Sequence, residues 1–418
     1  MIQQFDKSPV RTPFLHWGFL FLLFLQPVAT QAETYYVAVT GKDSNPGTLD
    51  QPWRHPQKCV DPDSPLVAGD TCLVRNGTYT DTDDNGIVIY VRTTAPSATA
   101  SAPITLKSEN PLGAVISLPN YTGVATGIFL AKSNYIIDGF DISGGIASGA
   151  TASSAGITVA RTSNTIIRGN AIHGQGWGAC TNSPYGNSGL YFILGSSNIT
   201  VEYNTIHHVG RLRNGESKCS TDKYHHDHGI YSAGATNVTI RRNVFYEVNR
   251  GYPLHIYKSG GATHGNIFIY NNTISGKSPT GRPAGQVALC NTLENVQIKN
   301  NIFHDPPLDH VIHYCAVTPA ATGLVISHNL TNGTRNDFQN PNSKPPTGVT
   351  YSNNKTNIDP KFADAESHNY KLLSTSPAIN AGTNVGLLYT GNAPDIGAYE
   401  FSEQDNKEPL RPVDVRIQ

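Results

Sequence analysis

Three histidines and an aspartate stand together in KYHHDHGIYS (223–232), immediately before an apolar, β-branched run. His225, His226, Asp227 and His228 are side chains that exchange protons or hold charge near neutral pH. A chain with only 15% charged residues concentrates few such groups anywhere else. Downstream lie Arg250 and then HIYK (255–258), which adds His255, Tyr257 and Lys258. An acid, a base and a charge clamp can all be drawn from this set. His226, Asp227 and His228 also invite a zinc reading. Neighbouring residues on a strand alternate faces, however, and no fourth ligand is indicated, so no metal is assigned to them.

Each of these residues also has a plainer reading. His228 shares inward parity with Ile230 and reads as a satisfied wall residue; Arg250 can pair with Glu247; Lys258 can be a solvated strand end. Their meaning depends on the elements that carry them. Aligning GITV (156–159), GLYF (189–192), GIYS (229–232) and HIYK (255–258) puts Ile157, Leu190, Ile230 and Ile256 inward. Thr158, Tyr191, Tyr231 and Tyr257 then form an outward column spaced by about 4.8 Å. Such tyrosines can stack on sugar rings and offer hydroxyls, or simply form an aromatic ladder that stabilises the sheet.

A repeat sets the architecture: SNYIIDGFDI (133), SNTIIRGNAI (163), SNITVEYNTI (197), TNVTIRRNVF (236), GNIFIYNNTI (265), ENVQIKNNIF (294) and TGLVISHNLT (322). Three places after the leading Asn stands Ile or Val (Ile137, Ile167, Val201, Ile240, Ile269, Ile298, Ile326), and the next place is mostly polar. Period-two alternation marks a strand with one face inside. A second Asn follows at Asn170, Asn204, Asn243, Asn272, Asn301 and Asn329, with Phe140 in the first copy. Asparagine tolerates left-handed backbone and bonds neighbouring amides, so these residues are expected to stack at a repeated turn. Intervals of 28 to 39 residues suit one coil of three short strands and three turns.

The chain resembles secreted right-handed parallel β-helix proteins, a group that includes polysaccharide lyases, hydrolases and epimerases. The resemblance rests on the repeat and covers most of the mature chain. YYVAVTGKDSNPGTLDQPW (35–53) and LVAGDTCLVRNGTY (66–79) resemble the segment that closes the open end of such solenoids, and SPAINAGT (376–383) and PDIGAYEF (394–401) resemble their final turns. The expected fold is therefore all-β, a single right-handed parallel β-helix. It would comprise a signal peptide (1–32), an N-terminal cap with the first coils (33–110), the β-helix (111–401) and a polar tail (402–418).

Lys7, Arg11, the apolar run FLHWGFLFLLFL (14–25) and ATQA before Glu33 form the pattern of a secretory signal, with cleavage expected after Ala32. The apolar run is shorter than the roughly 20 residues that span a bilayer, so no membrane association is expected of the mature protein. Export to the extracellular space or periplasm makes the six cysteines readable as disulfides. Two insertions, 174–188 and 210–228, precede the same strand of adjacent coils and each holds one cysteine, so Cys180 is paired with Cys219. Cys290 pairs likewise with Cys315, leaving Cys59 with Cys72. With 30 basic against 31 acidic residues and no basic stripe, nucleic acid is not an expected partner. A monomer is expected.

The expected partner is a polysaccharide. The motifs of polygalacturonase-like hydrolases, an Asn-Thr-Asp, an Asp-Asp pair, a Gly-His-Gly and an Arg-Ile-Lys, are missing from the repeat region, which leaves two-carboxylate hydrolysis little support. Lys258 in HIYKS is similar to the strand-end lysine base of alginate and chondroitin lyases, and HHDHG resembles a His/Asp segment of mannuronan epimerases. The arginine those lyases carry one coil later is replaced, because GQVALCN (285–291) supplies Leu289 and Cys290. The resemblance implies lyase or epimerase chemistry on a uronic acid polymer, with calcium as a candidate cofactor. The assigned catalytic residues are His226, Tyr231, Arg250, His255 and Lys258; Tyr191, His225, Asp227 and Tyr257 are assigned to substrate binding. The alternative is a noncatalytic surface or carbohydrate-binding protein.

Overall fold

The computed structural model describes residues 31–403, apart from 194, 213, 221–225, 258–263, 277–284, 292, 307–310, 316–319, 333–337 and 339–345. Three parallel sheets of 11, 8 and 9 strands run side by side along the chain, and the central coils contribute one strand to each. The repeat strands lie next to one another in the 11-stranded sheet. There Ile137, Ile167, Val201, Ile240, Ile269, Ile298 and Ile326 pair in register and are fully buried. Burying each such side chain is worth about 1.5–3 kcal/mol, so the stacked column is a main source of cohesion. On the outer face Asp138 pairs with Arg168 at 2.9 Å and Glu202 with Arg241 at 2.6 Å. The expected right-handed parallel β-helix with three strands per coil is therefore the observed architecture.

The second asparagines form a continuous internal ladder. In each of Asn170, Asn204, Asn243, Asn272 and Asn301 the backbone N–H and the side-chain Nδ2 both donate to Oδ1 of the next asparagine. Asn354 extends the ladder beyond Asn329. The left-handed residue is not the ladder asparagine but the one before it: Tyr203, Arg242, Asn271, Asn300, His328 and Asn353 all have φ between 51° and 58°. The asparagine itself turns its amide inward, where it satisfies backbone groups that no strand partner reaches. The leading asparagines Asn164, Asn198, Asn237, Asn266 and Asn295 do adopt positive φ.

At the N-terminal end Thr34–Val37 is the terminal strand of the 11-stranded sheet and pairs with Thr71–Val74, and Cys59 bridges to Cys72. At the other end the chain folds back on the solenoid. The antiparallel pair Phe362–Asp364 and Asn369–Leu372, with the segment up to Phe401, lies back along the outside of the nine-stranded sheet. Val244, Ile302 and Leu330 face outward there and pack against Tyr370, Ile396 and Ala398. Arg242 and Glu400 pair at 3.3 Å, and the Ala398 N–H donates to Thr273 Oγ1. Apolar outward positions on those coils required a cover, and the C-terminal segment supplies it. Among the described residues no helix is long and apolar enough to cross a membrane.

Candidate functional site

The two insertions are fastened to each other by buried charge as well as by sulfur. Cys180 and Cys219 are bonded with Cα atoms 5.5 Å apart. Asp227 is fully buried and accepts four hydrogen bonds: from Asn187 N–H (2.7 Å) and Nδ2 (3.0 Å), and from Arg211 N–H (3.0 Å) and Nε (2.9 Å). The Arg211 guanidinium also donates to the Ser183 carbonyl, and Arg250 Nη1 donates to the carbonyls of Thr181 and Leu212. A buried carboxylate with this many donors is spent, so Asp227 is a fastening and not the substrate contact expected from sequence. It is not available to calcium either. Arg250 is likewise fully buried, in a left-handed conformation with φ 58°, and holds loop carbonyls instead of facing the cleft. Glu247, its suggested partner, engages His208.

From this fastened base the chain enters the eight-stranded sheet at His228–Ala233, between Ser188–Phe192 and Leu254–Tyr257. Leu190 pairs with Ile230 and Tyr191 with Tyr231, as expected. The next strand is displaced by two residues from the sequence alignment: Ile230 pairs with Leu254 and Tyr231 with His255, while Tyr257 pairs with Ala233. The Ile230 N–H donates to the Pro253 carbonyl, and Leu254 is fully buried, which sets this register. A slip of two preserves parity, so His255 and Tyr257 still face outward. The outward column is Thr158, Tyr191, Tyr231, His255, Ala288 and His313.

Tyr191 and Tyr231 are stacked face to face, with centroids 5.4 Å apart and planes 6° from parallel. Each ring thus has one face against the other, which leaves less of the pair open for stacking on sugar. The centroids of His228, His255 and Tyr257 lie 5.2, 5.1 and 6.2 Å from that of Tyr231. Burial first, then the neighbouring Tyr191 and Tyr257, push the Tyr231 pKa up, so its hydroxyl keeps its proton at neutral pH. His228 is pushed down to about 3 by burial first and by nearby His226 second. His226 itself is exposed at the rim, its Nδ1 2.5 Å from the Pro184 carbonyl. His225 and Lys258 lie outside the described residues.

Three residues of the cluster carried no site assignment from sequence. His228 stands at the first position of its strand, where its ring turns toward Tyr231, His255 and Tyr252. Tyr252 stacks on His313, and burial pushes the His313 pKa down. Laying VIHYC (311–315) beside PLHIY (253–257) aligns His313 with His255 and was the signal for it. Cys290 and Cys315 are bonded as expected. His255 Nε2 and their two sulfurs lie within 4.8 Å of one another, but the bond removes the thiolates that a metal would need.

The family described as the right handed beta helix region matches residues 120–281 and 188–363, together more than half of the chain. The chain therefore belongs to the right-handed parallel β-helix family. Among solved structures it is similar to pectate lyase Pel9A, at 15% identity and TM-score 0.51, covering 89% of this chain and 97% of that one. It is also similar to an alginate lyase from Paenibacillus sp. str. FPU-7 (16% identity, TM-score 0.40, 77% and 95% covered) and to a glycoside hydrolase (9%, 0.49, 78% and 97%). At these identities the likeness is one of fold. No curated protein sequence matches the chain.

Proposed function

We propose that this protein is an exported polysaccharide-active β-helix enzyme that acts on a uronic acid polymer, by β-elimination or C5 epimerisation, at the face formed by Tyr191, Tyr231 and His255. The observation that carries the reading is the placement of a protonated phenol and an imidazole on adjoining strands, Tyr231 beside His255 at 5.1 Å, next to two insertions joined by a disulfide and a buried ion pair. Loops carried by a rigid sheet are where binding sites are built. Pectate lyase Pel9A shares the fold along nearly its whole length, and a polysaccharide-active relative of this fold is in keeping with the reading.

In β-elimination a base takes the C5 proton, the electron pair becomes the C4=C5 double bond, and the C4–O4 bond breaks with a proton delivered to O4. Tyr231 is the group assigned to protonate O4, its phenol carrying a proton at neutral pH as an ordinary tyrosine does. His226 at the rim and Lys258 next to Tyr257 are the groups assigned to take the C5 proton and to offset the carboxylate charge. The test is to incubate the protein with pectate, alginate and chondroitin and to follow absorbance of the unsaturated product. A change of sugar epimer ratio by NMR without absorbance assigns the epimerase. Binding without either change assigns the noncatalytic alternative, which the mutual stacking of Tyr191 and Tyr231 as a sheet ladder favours.

A further inference from the structure

We infer that His228 is a positioning residue that fixes the proton of His255 on Nε2, so that His255 faces a substrate as a hydrogen-bond donor and not as a base. The argument starts at the Tyr252 backbone N–H, which donates to His228 Nδ1 at 3.1 Å. A backbone N–H can only donate, so His228 Nδ1 carries a lone pair. His228 is 2% exposed, with no water to solvate a second proton, and in the neutral ring its one proton must then sit on Nε2. His228 Nε2 lies 3.0 Å from His255 Nδ1. The His228 N–H is the donor of that bond, which leaves no place for a proton on His255 Nδ1. The His255 proton is therefore on Nε2.

The relay is built by local sequence. Gly251 passes so close to the preceding coil that an added Cβ would lie 1.7 Å from the Asp227 carbonyl oxygen, and this approach brings the Tyr252 N–H onto the His228 ring. Asp227, held by Arg211 and Asn187, fixes the backbone immediately before His228. On the far side, His255 Nε2 is 3.4 Å from Cys290 Sγ. A disulfide sulfur is a weak acceptor, and a protonated Nε2 is the form in which His255 can donate to a carboxylate or a leaving oxygen. The consequence for catalysis rests on the proposed lyase or epimerase reading; the tautomer does not. In that reaction the C5 proton must go to a group other than His255, and His255 serves the carboxylate or the oxygen that gains charge.

Two-bond proton–nitrogen correlation spectra of protein labelled with ¹⁵N-histidine distinguish the two neutral tautomers and the cation. In the native protein at neutral pH, His255 is expected to show a protonated Nε2 and an unprotonated Nδ1. His228→Ala should release it to a mixture of tautomers, and His228→Gln, which keeps an amide donor, should retain the native pattern. A native His255 protonated on Nδ1, or an even mixture in the native protein, overturns the inference even if the variants do not fold. An unchanged tautomer in a folded His228→Ala overturns it as well. Where turnover is found, His228→Ala should lower kcat about 100-fold with little change in KM, and His228→Gln should recover part of it. Absence of turnover on every polymer, with the tautomer as stated, counts against the proposed function alone.

Discussion

Asp227→Asn changes one atom in the most deeply buried ion pair of the insertions, and its cost can be worked from the contacts. The asparagine can keep its oxygen toward Asn187 N–H and Nδ2. It then sets an amide NH₂ against the Arg211 N–H and Nε, which lie 3.0 and 2.9 Å from the carboxylate oxygen they lose. The Arg211 side chain is 1% exposed, so its charge cannot move to water. Removing one partner of a buried pair costs about 3–5 kcal/mol. The remaining Arg211 bond to Ser183 at 2.8 Å keeps the loss within that range. Because the contacts join insertions and do not cross the core, the loss should appear first as local opening. Chemical denaturation and amide exchange mass spectrometry of 174–188 and 210–220 measure it. Arg211→Met in the same chain should restore part of the stability by removing the stranded charge. A loss below about 1 kcal/mol, with unchanged exchange in both insertions, would refute the reasoning.

Asn243→Val should be costlier than a single lost hydrogen bond, because it strands the Asn204 N–H and the Val201 carbonyl, while Asn204 Nδ2 keeps the carbonyls of Ile167 and Glu202. At about 1–3 kcal/mol for each stranded group, even partial relaxation leaves a loss of several kcal/mol in denaturant titration. Cys219→Ser should lower stability by about 2–4 kcal/mol or raise exchange in 210–220, with the Cys180 thiol becoming reactive to alkylation. Acid should destabilise the fold through His228. Its folded pKa of about 3 lies below the ordinary 6.5, so unfolding takes up a proton between those values and stability rises with pH across that window. Stability should fall by up to about 1.4 kcal/mol per unit as pH drops from 6.5 toward 3, and His228→Gln should flatten that slope in thermal melts across pH.

Much of the fold was legible because a strand's two faces alternate with a period that sequence displays directly. Ile137 through Ile326 needed only that parity and a constant interval to be stacked. The pairing of Cys180 with Cys219 followed once the coils were aligned. The asparagine ladder was visible as spacing and its bonding to neighbouring amides was expected, but the left-handed backbone sits on the preceding residue and not on the ladder asparagine. The site was harder to read because three of its determinants are not periodic. A two-residue slip leaves parity untouched, so nothing in the alternation distinguishes Tyr257 from His255 as the neighbour of Tyr231. Asp227 reads as a charge at a groove until Arg211 and Asn187, from other parts of the insertions, are brought onto it. His228 has inward parity, yet as the first residue of its strand it turns with the loop and joins the outward cluster.

The central claim is that Tyr231, beside His255 on the eight-stranded sheet, moves a proton for a reaction on a polysaccharide. The direct measurement compares Tyr231→Phe with the native protein, on whichever polymer is turned over, for both rate and oligosaccharide affinity. Phenylalanine keeps the ring that packs against Tyr191 and removes only the hydroxyl proton. The account predicts a loss of about 100-fold or more in kcat, the usual span for a lost acid or base, with an oligosaccharide Kd close to native. Equal turnover by the two proteins would contradict it.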